Sequence, residues 1–490
     1  MTMKTLKTIA LLSFIVVITN SCTDDFIDRK PLYSQDSENY FNSKDDYDKA
    51  LIGAYQILNS SFMNVLVGEI ASDNTLSGGE SANDVVGIQQ VDEMIHNSNN
   101  GNLKNIWDWM FAGVYRSSYI LEFKDKTEFE GKNQIIAEAR FLRAYYQFEL
   151  VKWFGGIPLA GDKRFVLGNE KTIPRSSISQ SYAAIEADLS FAVANLKPTA
   201  SQTGRATKGA AQALLGKVYL YQNKYSDAAT TLQNVINSGS YSMVTNYNTI
   251  FEEAGENNSE SIFEIQYTDI QGASFDCLQC SKGNIAVGFN GVRNYTGPFF
   301  SGGYSFNVPT QNAVDAFEVG DNRKNVAILN IQTWATANNA TYGTGYKNTG
   351  YFNRKYLPRT RNVGAQGDLN LTNPNNYRSI RFADVLLMAA EANNKIGSDV
   401  NARLFLNQVR QRAFGDNNHN ITASGAALYD FILTERRVEL LGEGHRFFDL
   451  VRTGKANIIN GFTAGKNELF PIPIEEIQFS NGNWQQNPGY

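Results

Sequence analysis

The sequence predicts a mainly α-helical protein: a scaffold of stacked helix pairs interrupted by one large loop-rich segment. Three observations predict it. Apolar residues recur at helical spacing in successive segments from residue 43 onward. Residues 209–238 place small and large side chains at the offsets that two closely packed antiparallel helices require. Residues 266–378 break the pattern, being rich in Gly, Asn, Thr, Tyr and Phe with little helical periodicity. So long an irregular segment inside a compact domain is usually functional.

The chain begins with a leader. Lys4 and Lys7 precede an apolar stretch from Ile9 to Ile18. That stretch is too short to span a bilayer, which takes about 20 residues, and it reads as a secretory signal over residues 1–21. Cys22 follows the cleavage site directly, the arrangement of a lipoprotein in which Cys22 carries the lipid. Asn20 departs from the strictest form of that site, and ordinary cleavage near Ser21 is the competing reading. After Cys22 no apolar run approaches membrane-spanning length, so the body is expected in water, held by lipid alone.

Composition narrows the class. Of the 490 residues 42% are apolar and 19% charged, the balance of a folded domain rather than a disordered chain. The formal charge is −5, and loss of Lys4 and Lys7 with the leader carries it to −7. A net-negative chain lacks the basic footprint that nucleic acid demands.

Residues 23–40 read as a tether or entry strand. Ser43 and Asp46 form a capping-box pair, and Tyr47, Leu51, Tyr55 and Leu58 share one helix face. Helices are predicted over Leu103–Lys124, Gln134–Phe154 and Ile178–Leu196; Gly155-Gly156 and Pro158 stop the second of these. In the 209–238 unit, Leu215-Gly216, Tyr219, Tyr225, Ala228 and Leu232 fit tetratricopeptide spacing. Gly216 and Ala228 let the two helices approach, and Asn223-Lys224 makes the turn. Phe382–Ala413 is a second, looser unit. Alone, such a scaffold implies binding and no more.

The sequence carries no H-E-x-x-H, G-x-S-x-G, Walker A or G-x-G-x-x-G pattern, and its three histidines, His96, His419 and His445, are far apart. Nothing in it asks for an enzyme. Cys277 and Cys280 form a lone C-x-x-C, for which a short-loop disulfide fits an exported protein better than zinc or redox chemistry. No cofactor is expected. The Asp- and Asn-rich loops leave room for a structural Ca²⁺, although EF-hand spacing is absent.

A sugar site needs flat aromatic faces for the pyranose ring and planar polar groups for its hydroxyls, displayed on loops over a rigid scaffold. Residues 290–361 offer that mix: Tyr295, Phe299, Phe300, Tyr304, Trp334, Tyr342, Tyr346, Tyr351 and Tyr356, interleaved with Asn338, Asn339 and Asn348. Trp334 is the first candidate, because it lies in a polar stretch with no apolar periodicity to explain it as core. Tyr295, Tyr342, Tyr346 and Asn338 accompany it. Tyr304 is a further candidate, with packing in the core as its competing role. The same segment holds eight basic residues (Arg293, Arg323, Lys324, Lys347, Arg354, Lys355, Arg359, Arg361) against Asp315, Glu318 and Asp321. A local cationic surface would concentrate an anionic glycan; pairing of Arg323 and Lys324 with those acids is the alternative.

The C-terminal third holds the block Glu435-Arg436-Arg437-Val438-Glu439-Leu440-Leu441-Gly442-Glu443-Gly444-His445-Arg446-Phe447-Phe448-Asp449-Leu450-Val451-Arg452. Like charges at i, i+4 repel unless cations compensate, so the block reads as a network of buried Arg–carboxylate pairs. It resembles the E-R-x-x-E-L-x-x-E-G-x-R-x-x-D-L-x-R signature of the SusD/RagB family. Phe470-Pro471-Ile472-Pro473 and Gln486-Asn487-Pro488-Gly489-Tyr490 are similar to that family's tail. Ala137–Tyr146, Trp153–Leu159 and Tyr377–Ala392 also match, in order along the mature chain. The resemblance implies one tetratricopeptide-like domain over 22–490, with a helical scaffold at about 40–265 and 378–455, a ligand-binding insert at about 266–377 and a tail at 456–490. It implies a lipoprotein on the outer face of the outer membrane, with Thr23-Asp24-Asp25 similar to a surface-export tag. It implies a glycan ligand, or a peptide in RagB-like members, passed to a SusC-like TonB-dependent transporter. It also brings Asp73 and Asn74 forward, since a loop there reaches the ligand face in related proteins; loop stabilisation is the competing role.

Overall fold

A computed structural model describes residues 40–359 and 361–490. The signal peptide, Cys22 and the acidic Asp24-Asp25 lie outside the described residues.

The scaffold starts where the capping box predicts. The Ser43 hydroxyl accepts from the Asp46 amide and the Asp46 carboxylate accepts from the Ser43 amide, opening α1 (Lys44–Gln56). A 3₁₀ turn leads into α2 (Phe62–Ile70), which the sequence reading missed. By length and composition the helical stretch Lys44–Ile70 could cross a membrane, contrary to the expectation that no such run follows Cys22. However, 61% of its most apolar window is buried inside the fold, because it is core. After the short strand β1 (Thr75–Ser77) come α3 (Gly101–Glu122) and α4 (Lys132–Phe154), the latter ending at Gly155 with φ +76°. They are followed by α5 (Ile178–Asn195), α6 (Lys208–Tyr221) and α7 (Tyr225–Asn237). From α3 to α7 each helix packs against the next, while α1 packs on α3 and α4.

Two glycines set the spacing. A Cβ on Gly216 would stand 2.6 Å from the Leu232 side chain, so α6 and α7 touch as the repeat predicts. A Cβ on Gly113 would stand 2.4 Å from the ring of Tyr146, which brings α3 against α4. Trp107 and Trp109 on α3 are both buried in this core.

β2 (Ser261–Ile265) then leaves the stack. The excursion carries β3 (Asn307–Pro309), β4 (Ile328–Asn330), α8 (Ile331–Asn338) and β5 (Tyr351–Asn353) before β6 (Tyr377–Arg381) returns antiparallel to β2. β3 pairs with β1 and β5 with β4, giving, with β2–β6, three two-stranded sheets among the described residues. Across this excursion the helical stack is unbroken, because α7 packs on α9 (Phe382–Lys395), which pairs with α10 (Asp399–Phe414) and α11 (Gly425–Glu439). α12 (Arg446–Arg452) closes the scaffold.

The signature block is the expected ion network, with corrections to its layout. Glu435 and Glu439 lie on α11, but Glu443 stands beyond its end. Arg381 donates to Glu260 (2.7 Å), Glu439 (2.8 Å) and Glu443 (2.7 Å), while Glu439 also accepts from Arg412 (2.6 Å) and Arg323 (2.9 Å). Burial pushes Glu439 up, yet the three guanidiniums hold it well below the usual carboxylate range. A second network joins Arg436 to Asp384 (2.8 Å) and Asp449 (3.1 Å), and Arg452 to Glu391 (2.5 Å). Arg446 leaves Asp449 aside and pairs with Asp73. The amides of Gly442 and Gly444, both at positive φ, donate to the buried Glu69 carboxylate at 3.1 and 2.9 Å. This turn therefore clamps α2 to the end of α11.

Candidate functional site

Loops from two parts of the chain form one face beside β1 and β3. Thr296 and Thr341 exchange backbone hydrogen bonds of 2.9 Å, the Gly343 amide donates to Arg293 O (2.8 Å), and the Tyr346 amide donates to Gly79 O (2.8 Å). Arg293 ties this knot, donating to Tyr304 O (2.9 Å) and pairing with Asp84 at 3.4 Å. A small separate core lies beneath, formed by Val292, Tyr295, Val308, Leu329, Ile331 and Phe352 among others.

Trp334 does not lie in an irregular stretch; it stands on α8, whose first turn is capped by the Asn330 side chain. Its indole Nε1 donates to Tyr295 Oη (3.0 Å), and that hydroxyl donates to Pro298 O (2.8 Å). Phe300 (5.0 Å) and Phe299 (5.8 Å) flank the indole, and the Arg354 guanidinium stands 5.6 Å from it. Trp334 is thus a half-buried wedge. The outermost ring is Phe299, 73% exposed. Its φ is +69°, and the Phe300 amide donates to Pro298 O at 2.9 Å, which makes a γ-turn of the rare strained kind. Such a conformation costs on the order of 1–3 kcal/mol and persists where surrounding structure imposes it, often at ligand sites.

The other expected residues divide. Tyr342 packs half-buried on the small core, and Tyr346 lies half-buried with the Lys347 ammonium 5.5 Å from its ring. Asn338 spends its amide on Trp334 O (2.9 Å), within the helix. Tyr295 is buried, so it supports the aromatic shelf rather than forming its surface. Tyr304 belongs to a second aromatic cluster with Phe275, Phe289 and Phe306, and its hydroxyl donates to Asp368. Burial, with the Asp368 carboxylate beside it, pushes Tyr304 up to about 12. Cys277 and Cys280 are disulfide-bonded, closing the turn that follows the half-exposed Phe275. Asp73 and Asn74 do not reach the face. Asp73 is clamped by Arg446 (2.7 Å) and Arg437 (3.0 Å), and Asn74 is fully buried, donating to Glu69 (3.1 Å) and accepting from Arg437 (2.8 Å). They anchor the base of the 78–86 loop.

The cationic excess of the segment is mostly compensated. Arg323 and Lys355 are buried against Asp321 and Glu443, and Arg293, Lys347 and Arg359 pair with Asp84, Asp92 and Glu252. The pairing of Arg323 with Asp321 is the alternative the sequence offered, and counting within 290–361 missed Glu443, Asp84, Asp92 and Glu252 because they come from distant parts of the chain. His445 is buried beside Lys217 (3.3 Å), and burial, then the ammonium, pushes it down to about 3. Among the described residues no group of three or more His, Cys, Asp or Glu is disposed to hold a metal ion.

Sequence reasoning named Phe299 among the aromatics of the segment without singling it out as the exposed ring, and it missed Phe275 and the 78–86 loop that supports the face. The available signal was Pro298-Phe299-Phe300 set between glycines, a composition that displays rings instead of packing them.

Comparisons with known proteins agree with this architecture. The profile described as "SusD family" matches residues 329–467, and that described as "Starch-binding associating with outer membrane" matches residues 25–220. A laminarin-binding SusD-like protein superposes with a TM-score of 0.83 at 33% identity, covering 92% of this chain and 100% of its own. Surface glycan-binding protein A from Bacteroides thetaiotaomicron, in complex with laminarihexaose, gives 0.79 at 26% identity over 91% and 99% of the two chains. SusD-like protein P38 of Formosa agariphila is 26% identical over the full length of both chains.

Proposed function

This chain belongs to the SusD family, and from that premise we propose that it captures a neutral glucan of the laminarin class and delivers it to a SusC-like TonB-dependent transporter. The family consists of non-catalytic binding proteins associated with the outer membrane. The observation that carries the ligand reading is the shelf formed by Phe299 and Trp334, with an aromatic ring displayed at the cost of backbone strain over a rigid support. Phe299 stacks on a pyranose face, Trp334 backs it, and Tyr342 and Tyr346 extend the surface. Tyr304 and Phe275 form a second contact further along the face. The similarity to laminarin- and laminarihexaose-binding structures supports the same ligand class. An anionic polysaccharide would have to rely on Lys324, Arg354 and Arg361, the cations of the segment without a carboxylate partner among the described residues. In this reading Cys22 bears the lipid and the face looks outward from the cell.

Affinity electrophoresis against a polysaccharide panel tests the proposal. Laminarin is expected to retard the protein equally at low and high salt, and Phe299→Ala to lose most of the retardation. Retardation by acidic glycans alone, abolished by salt, would replace the neutral ligand with an anionic one. A Cys22→Ala form is expected in the soluble fraction; its retention on the surface would refute the anchor.

A further inference from the structure

α11, α12 and the turn that follows enclose a groove of about 550 Å³, within the range of ligand pockets. Asp430, Leu433, Thr434 and Arg437 line it from one face of α11, at i, i+3, i+4 and i+7. Arg446, Asp449, Leu450 and Thr453 repeat that spacing on α12 and its C-terminal cap. At one end Lys455 pairs with Asp430 at 2.6 Å. Two helical turns away, about 10 Å along α11, Arg437 and Arg446 converge on Asp73. Among the described residues no aromatic ring lines this groove, so it is not a second shelf for a sugar.

The arginine end is short of negative charge. Arg437 and Arg446 share the single carboxylate of Asp73, at 3.0 and 2.7 Å. Arg437 otherwise donates to neutral amide oxygens, those of Asn74 (2.8 Å) and Asn312 (2.6 Å). Among the described residues no acceptor meets Nη1 of either guanidinium, and neither nitrogen is sealed from solvent. Burial pushes Arg437 below its ordinary range in spite of Asp73. The other acids nearby are committed elsewhere. Asp449 serves Arg436 (3.1 Å) and Arg452 (2.7 Å), and Glu69 accepts from the Gly442 and Gly444 amides. Between the two charged ends the walls are aliphatic: Leu433 and Leu450 from the helices, and Ile458, 59% exposed, from the turn.

We infer that this groove is a binding site for a carboxylate carried on a short aliphatic stem. The carboxylate pairs with the open Nη1 groups of Arg437 and Arg446, planar donors that suit its two oxygens. The stem lies along Leu433, Leu450 and Ile458. A free aliphatic acid and the C-terminus of a peptide ending in an aliphatic residue share this chemistry. A neutral glucan does not, since it brings neither the charge nor the stem. The site is separate from the aromatic shelf, which Asp73 does not reach, and it depends on neither the glycan nor the lipid.

Calorimetric titration of the whole chain with 4-methylpentanoate, N-acetyl-leucine and 4-methylpentanamide tests this. At least one of the two acids is expected to bind, and the amide, with the same stem and no charge, at least about tenfold more weakly. Tighter binding of N-acetyl-leucine assigns the site to a peptide terminus, and tighter binding of 4-methylpentanoate to a free acid. Arg437→Gln should weaken the acid at least about tenfold. Thr434→Glu should do the same with far-UV circular dichroism unchanged, because it sets a carboxylate of the chain itself one turn from Arg437. Thr434 is exposed and does not touch Asp73, so this second variant keeps the test valid if loss of Arg437 disturbs the fold. Failure of both acids to bind at millimolar concentration would overturn the inference. So would an amide that binds as well as the acids, or acid binding that survives Thr434→Glu. Laminarin retardation is a separate readout, so failure here leaves the glycan reading intact and the reverse.

Discussion

Phe299 and Glu439 show two ways in which one residue commits the chain. Phe299 spends backbone strain to stand in solvent, so Phe299→Ala should relax its turn while weakening laminarin binding about tenfold, or about 1.4 kcal/mol. Calorimetric titration would read the loss, and unchanged affinity would remove Phe299 from the site. Glu439 is the reverse case. It is buried against Arg381, Arg412 and Arg323, and removing one partner of such a cluster leaves charge uncompensated, at about 3–5 kcal/mol. Glu439→Ala should therefore lower the urea midpoint by that equivalent, and a wild-type midpoint would show that water reaches the network. At this scale the sequence was legible where chemistry is local. The charge block announced its pairing, because three acids in register cannot coexist without arginines. Phe299 was legible as one aromatic of the loop segment but not as its exposed ring, because exposure follows from a γ-turn that no periodicity encodes. Asp73 and Asn74 were misplaced, because their partners Arg437 and Arg446 lie more than 360 positions away.

Among the elements, helix spacing is set by what is absent at Gly113 and Gly216. Gly216→Leu should force α6 from α7, and even Gly113→Ala should overpack Tyr146, each costing about 1–3 kcal/mol. Chemical denaturation reads both; a neutral Gly113→Ala would mean that Tyr146 finds another rotamer. These contacts explain why the scaffold was legible. Amphipathic faces, caps and a Gly-Gly stop locate α1, α3, α4, α5, α6 and α7 to within a few residues. α2 was missed because it is buried all round and so shows no stripe: seven of its nine residues are apolar or glycine and eight are buried. α8 was missed because its first turn is stabilised by Asn330 and its packing by a core assembled from β4, β5 and the 292–308 loop.

The whole molecule has a pH signature. His445 and His96 are neutral when folded, burial pushing them from about 6.5 down to about 3 and about 4. The unfolded chain takes up protons as pH falls through about 6.5 and the folded chain does not. Stability is therefore complete above that pH and declines below it, by up to about 1.4 kcal/mol per pH unit for each histidine. The buried carboxylates Asp384, Glu439 and Asp449 are depressed by their cations despite burial, so they add a loss in the same direction below about pH 4. The melting temperature should drop between pH 7 and pH 5, and His96→Gln should flatten the slope; a level profile would contradict the burial of both rings. Tertiary effects of this kind lie outside what sequence spacing encodes. One further consequence follows from β2 lying antiparallel to β6. The excursion that builds the aromatic shelf leaves and rejoins the helical stack at neighbouring points, while α7 and α9 close the stack without it. The 266–376 region is thereby an insert at one point of the stack, yet it is wired into it: Arg323 and Lys355 lend their cations to Glu439 and Glu443, and β3 pairs with β1. A new binding face grafted here has to bring those two charges and that strand with it.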